Sequence, residues 1–202
     1  MSYHSDALTL TDLAAEIDLL DPDLPVAVVL TDLDEFVTVN EAHGTETGDA
    51  VLAGFERVLA AGLGPAGRVA HVRGDEFAAM LPDTACEEAL LTLERVRAEV
   101  AGSALAPGLP DRITGSIGIA GRPAHGATAD ELIAAADAAL VRAKRAGGNR
   151  VCLHVEERMV LKSSYYPRPA LHRLAKLARH DGRPEASLLR EALEEYLARH
   201  QP

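Results

Sequence analysis

Cysteine is scarce in this chain, and the two that occur stand apart. Neither Cys86 nor Cys152 has a Cys or His neighbour at ligand spacing, which excludes a disulfide scaffold and a structural zinc site. The eight histidines show no ligand spacing either. Long apolar runs are missing too. The densest, residues 26–30, is hemmed in by Pro25 and Asp32 and falls far short of the roughly 20 residues a membrane-spanning helix needs. The opening residues, MSYHSDALTL, lack a basic stretch followed by an apolar one, so no secretory signal is expected and a reducing cytoplasm is the natural setting. Basic charge is also in short supply. The net charge is −11, and a polyanion would be repelled by the acidic part of the chain, so that part is not a non-specific nucleic-acid binder.

What the chain does have is enough apolar content to fold. With 48% hydrophobic and 25% charged residues in 202, it can bury a real core, and disorder is excluded as its main state. The charge is split unevenly. Residues 1–155 carry 24 acidic and 11 basic side chains, whereas residues 156–202 carry 7 and 9. An acidic body with a mildly basic tail reads as two modules, 1–155 and 156–202, with different partners.

Apolar spacing supplies the element order. Residues 8–20 have helical periodicity, stopped by Asp21-Pro22-Asp23. The β-branched run 26–30 reads as a buried strand delivering Asp32 and Asp34 at its C-terminal end. Residues 49–63 read as a helix through Val51, Leu52, Phe55, Val58 and Leu59. Strands 69–72 and 77–81 flank a tight turn at Arg73-Gly74-Asp75-Glu76. Helix 86–100, strand 113–120, helix 129–146 and strand 151–155 follow. The expected fold class is α+β, a ferredoxin-like βαββαβ core with one extra helix and strand, helices covering one face of a mostly antiparallel sheet.

Chemistry concentrates where strand 26–30 ends and the hairpin turns. This topology gathers Asp32, Asp75 and Glu76, and two carboxylates about 4 Å apart repel by roughly 4 kcal/mol at an effective dielectric of 20. A divalent cation would relieve that repulsion, and hard oxygen ligands working with phosphates favour Mg²⁺. From spacing alone, acidic residues beside turns read first as soluble turn-formers.

A wider set of motifs bears on that choice. Asp32-Leu33-Asp34-Glu35-Phe36, Asn40-Glu41 with Gly48-Asp49, Arg73-Gly74-Asp75-Glu76-Phe77, Ser116-Ile117-Gly118, Ala136-Asp137 with Ala143-Lys144, and Gly147-Gly148-Asn149-Arg150 occur in order. Residues 26–155 thereby resemble a GGDEF domain, the diguanylate cyclase family, with a cyclase/polymerase-like palm. The resemblance implies that Asp32 and Asp75, helped by the Leu33 carbonyl and Glu76, ligate Mg²⁺ or Mn²⁺. It also implies that Asp75 and Glu76 are catalytic, Glu76 by activating the ribose 3′-hydroxyl that attacks the α-phosphate of a second GTP. Asn40 and Asp49 match the guanine readers, and a carboxylate suits the guanine N1–H and N2–H₂ edge because it only accepts. Lys144 matches a phosphate contact. The implied activity is synthesis of cyclic di-GMP from two GTP.

Three positions depart from the family pattern. Arg73 replaces the first glycine of the signature, Val37 a lysine and Gly148 an arginine that normally touch the triphosphate. Two lost charge-assisted contacts are worth roughly 3–6 kcal/mol together. Arg73 could restore part of this as a phosphate contact or fill the cleft with its bulk. The upstream arginine–aspartate pair of the family's product-inhibition site is replaced by Gly64 and Gly67, so feedback there is not expected. A catalytically degenerate receptor for GTP or cyclic di-GMP is the competing reading.

After residue 155 the pattern changes to a strand, 159–166, and two amphipathic helices separated by Asp181-Gly182-Arg183-Pro184. About 45 residues cannot build a sufficient core alone, so dimerisation is expected. Residues 158–199 resemble a ribbon-helix-helix module (β-α-α), a dimeric fold that places a two-stranded ribbon in the DNA major groove. The resemblance makes Lys162, Ser163 and Ser164 candidate DNA contacts, and opens the alternative of a nucleotide-responsive transcription regulator. Glu185, near the start of the second helix where a phosphate would sit, opposes DNA binding.

Overall fold

The computed structural model describes residues 8–109, 112–155 and 164–200. The chain divides into two compact units, Met1–Glu156 and Glu157–Pro202. The first holds helices α1 (Leu10–Leu19), α2 (Phe36–His43), α3 (Thr45–Leu63), α4 (Cys86–Gly102) and α5 (Ala129–Arg145), with strands β1 (Val26–Leu33), β2 (Arg68–Arg73), β3 (Glu76–Pro82), β4 (Gly115–Arg122) and β5 (Val151–Leu153). The second holds α6 (Arg168–Asp181) and α7 (Glu185–Arg199). Among the described residues, no helix is long and apolar enough to cross a membrane.

The sheet runs β2–β3–β1–β4–β5. β1 lies at its centre, antiparallel to β3 and β4, while β5 adds on parallel to β4. This is the expected α+β core with its extra strand. One expectation is corrected: helices cover both faces. Ala27 and Val29 of β1 join Phe55, Leu59, Leu93 and Val96 of α3 and α4 on one side. Val26 and Val28 join Leu13 and Ile17 of α1 and Leu132 and Ala136 of α5 on the other. A one-sided sheet would alternate apolar and polar residues, whereas Val26-Ala27-Val28-Val29 is continuously apolar and every one of them is fully buried. α5 settles so closely on the sheet that a Cβ on Gly118 would meet the Ala136 carbonyl oxygen at 2.2 Å, so the glycine is what permits this contact.

A second correction concerns the segment after β1. α3 begins at Thr45 rather than Asp49, and a separate helix, α2, precedes it. Val37, Thr38 and Val39 are weak helix formers, which masks the helix in the sequence. It forms because Phe36 and Val39 fall on one face and bury it. Glu35 makes the turn into α2 with a left-handed backbone, φ 55°.

In the C-terminal unit, α6 ends at Gly182 in the left-handed conformation, with the Gly182 and Arg183 N–H groups both donating to the Ala178 carbonyl. Ala178 is the only buried side chain among this unit's described residues, while Leu171, Leu177, Leu193, Tyr196 and Leu197 stay exposed. Of the expected strand 159–166, residues 159–163 lie outside the described residues, among them Lys162 and Ser163. Ser164, Tyr165 and Tyr166 are exposed and belong to no strand.

Candidate active site

The site begins with register. Asp32, next to last in β1, stands opposite Glu76 of β3 on one side and Ser116 of β4 on the other. β2 and β3 are joined by the two-residue turn Gly74–Asp75, with Gly74 at φ 52°, which makes Arg73 and Glu76 cross-strand partners. Asp32, Asp75 and Glu76 are therefore brought to one sheet end, as the sequence implies.

Burial makes Asp32 unusual. It is 6% exposed, and this desolvation pushes its carboxyl pKa above the ordinary value of 3.8. A hydrogen bond from Lys144 pulls the other way, and the negative charges of Asp75 and Glu76 push up again. Lys144, near the end of α5, sets its Nζ 2.5 Å from Asp32 Oδ2. Arg73 forms a two-pronged ion pair with Glu76, Nε to Oε2 at 2.9 Å and Nη2 to Oε1 at 3.3 Å. Both residues expected at phosphates thus rest on carboxylates of the site.

Among the described residues, no group of three or more His, Cys, Asp or Glu is arranged to hold a metal ion. The donor chemistry nevertheless suits a hard divalent cation. Asp32 lies buried in the negative field of Asp75 and Glu76, and Lys144 already answers part of that charge. Leu33, paired with Gly115, lies buried at the strand's last position.

Asn40 and Asp49 come from α2 and α3. A Cβ on Gly48 would fall 2.0 Å from Asn40 Oδ1, so Gly48 is what lets the Asn40 amide lie across the start of α3, beside exposed Asp49. Because α2 starts three residues after β1 ends, Asn40 is carried by the same segment that delivers Asp32.

The sequence did not single out the role of Asp34. Its Oδ2 accepts from Thr114 Oγ1 at 2.6 Å and from the Asn149 N–H at 2.8 Å, and its Oδ1 accepts from Ser116 Oγ at 2.6 Å. One carboxylate ties the end of β1 to the start of β4 and to the turn leading into β5. The turn wraps it tightly: a Cβ on Gly148, at φ 69°, would lie 2.9 Å from Asp34 Oδ1.

Beside the hairpin, on the α1/α5 side, lies a cleft of about 440 Å³ bordered by Thr31, Arg73, Glu76 and Asp137 and floored by Leu30, Phe77 and Leu140.

Comparison with known proteins matches this geometry. The chain is 35% identical over 130 residues to the response regulator PleD of Caulobacter vibrioides, covering 63% of this chain and 29% of that protein. It is 38% identical over 125 residues to the diguanylate cyclase DgcM of Escherichia coli, covering 62% and 30%. The match therefore spans under a third of these relatives' length. Among solved structures, the GGDEF domain of PA1120 from Pseudomonas aeruginosa superposes with a TM-score of 0.68 at 27% identity, covering 75% of this chain and 95% of that one. The GGDEF domain of DgcB from Caulobacter crescentus, solved in complex with c-di-GMP, gives 0.66 at 28%, covering 73% and 91%. Residues 7–150 match the family described as diguanylate cyclase, GGDEF domain, and with its sheet order and acidic strand end the chain belongs to that family.

Proposed function

We propose that residues 1–155 bind GTP with Mg²⁺ or Mn²⁺ and join two GTP into cyclic di-GMP, within a homodimer held by a ribbon-helix-helix unit at 156–202. The observation that carries this is the gathering of Asp32, Asp75 and Glu76 at one sheet end with Lys144 and Arg73 upon them. Asp32 and Asp75, with the Leu33 carbonyl and Glu76, would hold the divalent cation, which neutralises phosphate charge when bound. Glu76 accepts the proton of the attacking ribose 3′-hydroxyl on its carboxylate, the oxygen bonds to the α-phosphorus of the second GTP, and the bond to the β-phosphate breaks, so each linkage releases one pyrophosphate. Lys144 moves from Asp32 to a phosphate oxygen. Each site takes one GTP, so two sites must meet face to face to close both 3′,5′ linkages. With GTP as substrate, the reaction belongs in the cytoplasm.

Base choice rests on Asn40 and Asp49. Asp49→Ala should weaken GTP binding about ten- to a hundredfold, the loss of one charge-assisted pairing, with ATP binding unchanged. Calorimetric titration of both nucleotides checks this. Equal losses for GTP and ATP would remove Asp49 from base recognition.

Dimerisation follows from the apolar side chains that α6 and α7 leave exposed, Leu171, Leu177, Leu193, Tyr196 and Leu197. A second copy is the partner of matching chemistry, because two identical two-helix units can bury the same faces against each other. Truncation after Val155 should give a monomer in sedimentation and a large fall in product formation. A dimer that survives the truncation contradicts the role of the tail. DNA contact through Lys162, Ser163 and Ser164 gains no support from the described residues, and Glu185 opens α7 with an acidic side chain.

A further inference from the structure

Arg73 stands where the family signature has glycine, and its surroundings give it a use. Cross-strand pairing of residues 73 and 76 holds the guanidinium and the Glu76 carboxylate together by backbone register, and both prongs of the ion pair form. Asp137 of α5 adds to the negative field on Arg73 and borders the same cleft. Across β3 and β1, Glu76 faces Asp32, which holds Lys144. The two opposed carboxylates thus each carry a cation of the chain. The Arg73 side chain is 79% exposed, so it can swing without repacking the core.

We propose that Arg73 is a resident counter-ion for Glu76, a positioning residue that keeps this carboxylate engaged until a triphosphate draws the guanidinium away, so that divalent metal enters with nucleotide and not ahead of it. The inference rests on the nucleotide-site reading above. A metal arriving alone must displace a guanidinium held by two charge-assisted hydrogen bonds and must approach its positive charge. A triphosphate removes both obstacles, because its oxygens accept the same planar fork that the carboxylate does. Arg73 exchanges one anion for another, and both Glu76 oxygens are released. Asp137 keeps the guanidinium over the hairpin during the exchange. Glycine at this position would leave Glu76 free for metal at all times.

The test uses the full-length chain and Mn²⁺ alone, with free Mn²⁺ read by electron paramagnetic resonance. Without nucleotide, Arg73→Gly should bind Mn²⁺ about three- to tenfold more tightly than wild type, as expected for losing one partly exposed ion pair and its nearby positive charge. Arg73→Gln, neutral and less disruptive to the hairpin, should shift in the same direction, and Arg73→Lys should restore most of the wild-type value. Saturation with a non-hydrolysable GTP analogue should bring wild type close to the glycine variant. Equal Mn²⁺ affinities of wild type, Arg73→Gly and Arg73→Gln without nucleotide overturn the inference. Tighter Mn²⁺ binding by the variants, together with no binding of the analogue, upholds the counter-ion and overturns the nucleotide reading instead.

Discussion

Asp32→Asn should lower cyclic di-GMP formation by about a thousandfold while leaving the metal-free protein at least as stable as wild type at neutral pH. On the proposed reading, the loss of activity follows from removing a charged ligand of the divalent cation, since charge stabilisation by a bound cation is worth several kcal/mol. The unchanged or raised stability follows from where Asp32 sits. It is buried, it faces Glu76 across the strand pair, and its carboxyl pKa lies above the ordinary 3.8. For an acid whose folded-state value is raised, the contribution to stability is fully present below the unfolded value and is lost as the pH rises through the folded one. Asparagine avoids that loss, and Lys144, half-exposed, can turn to water when its partner is neutralised. Urea denaturation in the presence of a chelator, at pH 4 and pH 7, should show the variant gaining on wild type as the pH rises. A variant that falls behind at pH 7 would mean that the Lys144 pair outweighs the cost of burying the charge.

The second large effect is expected at Asp34. Asp34→Ala should cost about 3–5 kcal/mol, because it leaves two hydroxyls and one backbone N–H without their shared acceptor. Each charge-assisted hydrogen bond contributes about 1.5–3 kcal/mol, and the three share one carboxylate, so they do not add fully. Asp34→Asn should cost about half as much, since the amide oxygen and nitrogen can still serve two of the partners. Activity should fall in both variants, because Asp34 is two residues from Asp32 and fixes the strand end that presents it. Chemical denaturation measures the first quantity and initial rates the second. A loss below about 1 kcal/mol for the alanine variant would show that the β1–β4 pairing holds this corner without the carboxylate.

These two residues mark how much of the molecule can be read from its sequence. The central strand, the hairpin and the order of elements announce themselves through local periodicity and turn residues, and so does the proximity of Asp32 to the Asp75-Glu76 turn. The second helical layer was visible only in an unbroken apolar run, a weaker signal than alternation. α2 stayed hidden because its β-branched residues have poor intrinsic propensity, and burial of Phe36 and Val39 overrides that preference. Asp34 looks like a repeat of Asp32, yet its partners lie about 80 residues and more along the chain, and no local pattern joins them. The same holds for Lys144 on Asp32. The family resemblance implies a phosphate contact for it, and only the fold shows that a carboxylate holds it first. Gly148 reads in the sequence as a missing cation. In the fold it is also the residue that lets a turn close around Asp34.

The most direct measurement is product analysis. The purified full-length protein is incubated with GTP and Mg²⁺ or Mn²⁺, and the nucleotides are resolved by chromatography. Cyclic di-GMP should accumulate with two GTP consumed for each molecule formed, and the product should vanish with Asp75→Asn or Glu76→Gln. GTP that binds yet remains unconverted in wild type would contradict catalysis and leave a nucleotide receptor built on a cyclase fold.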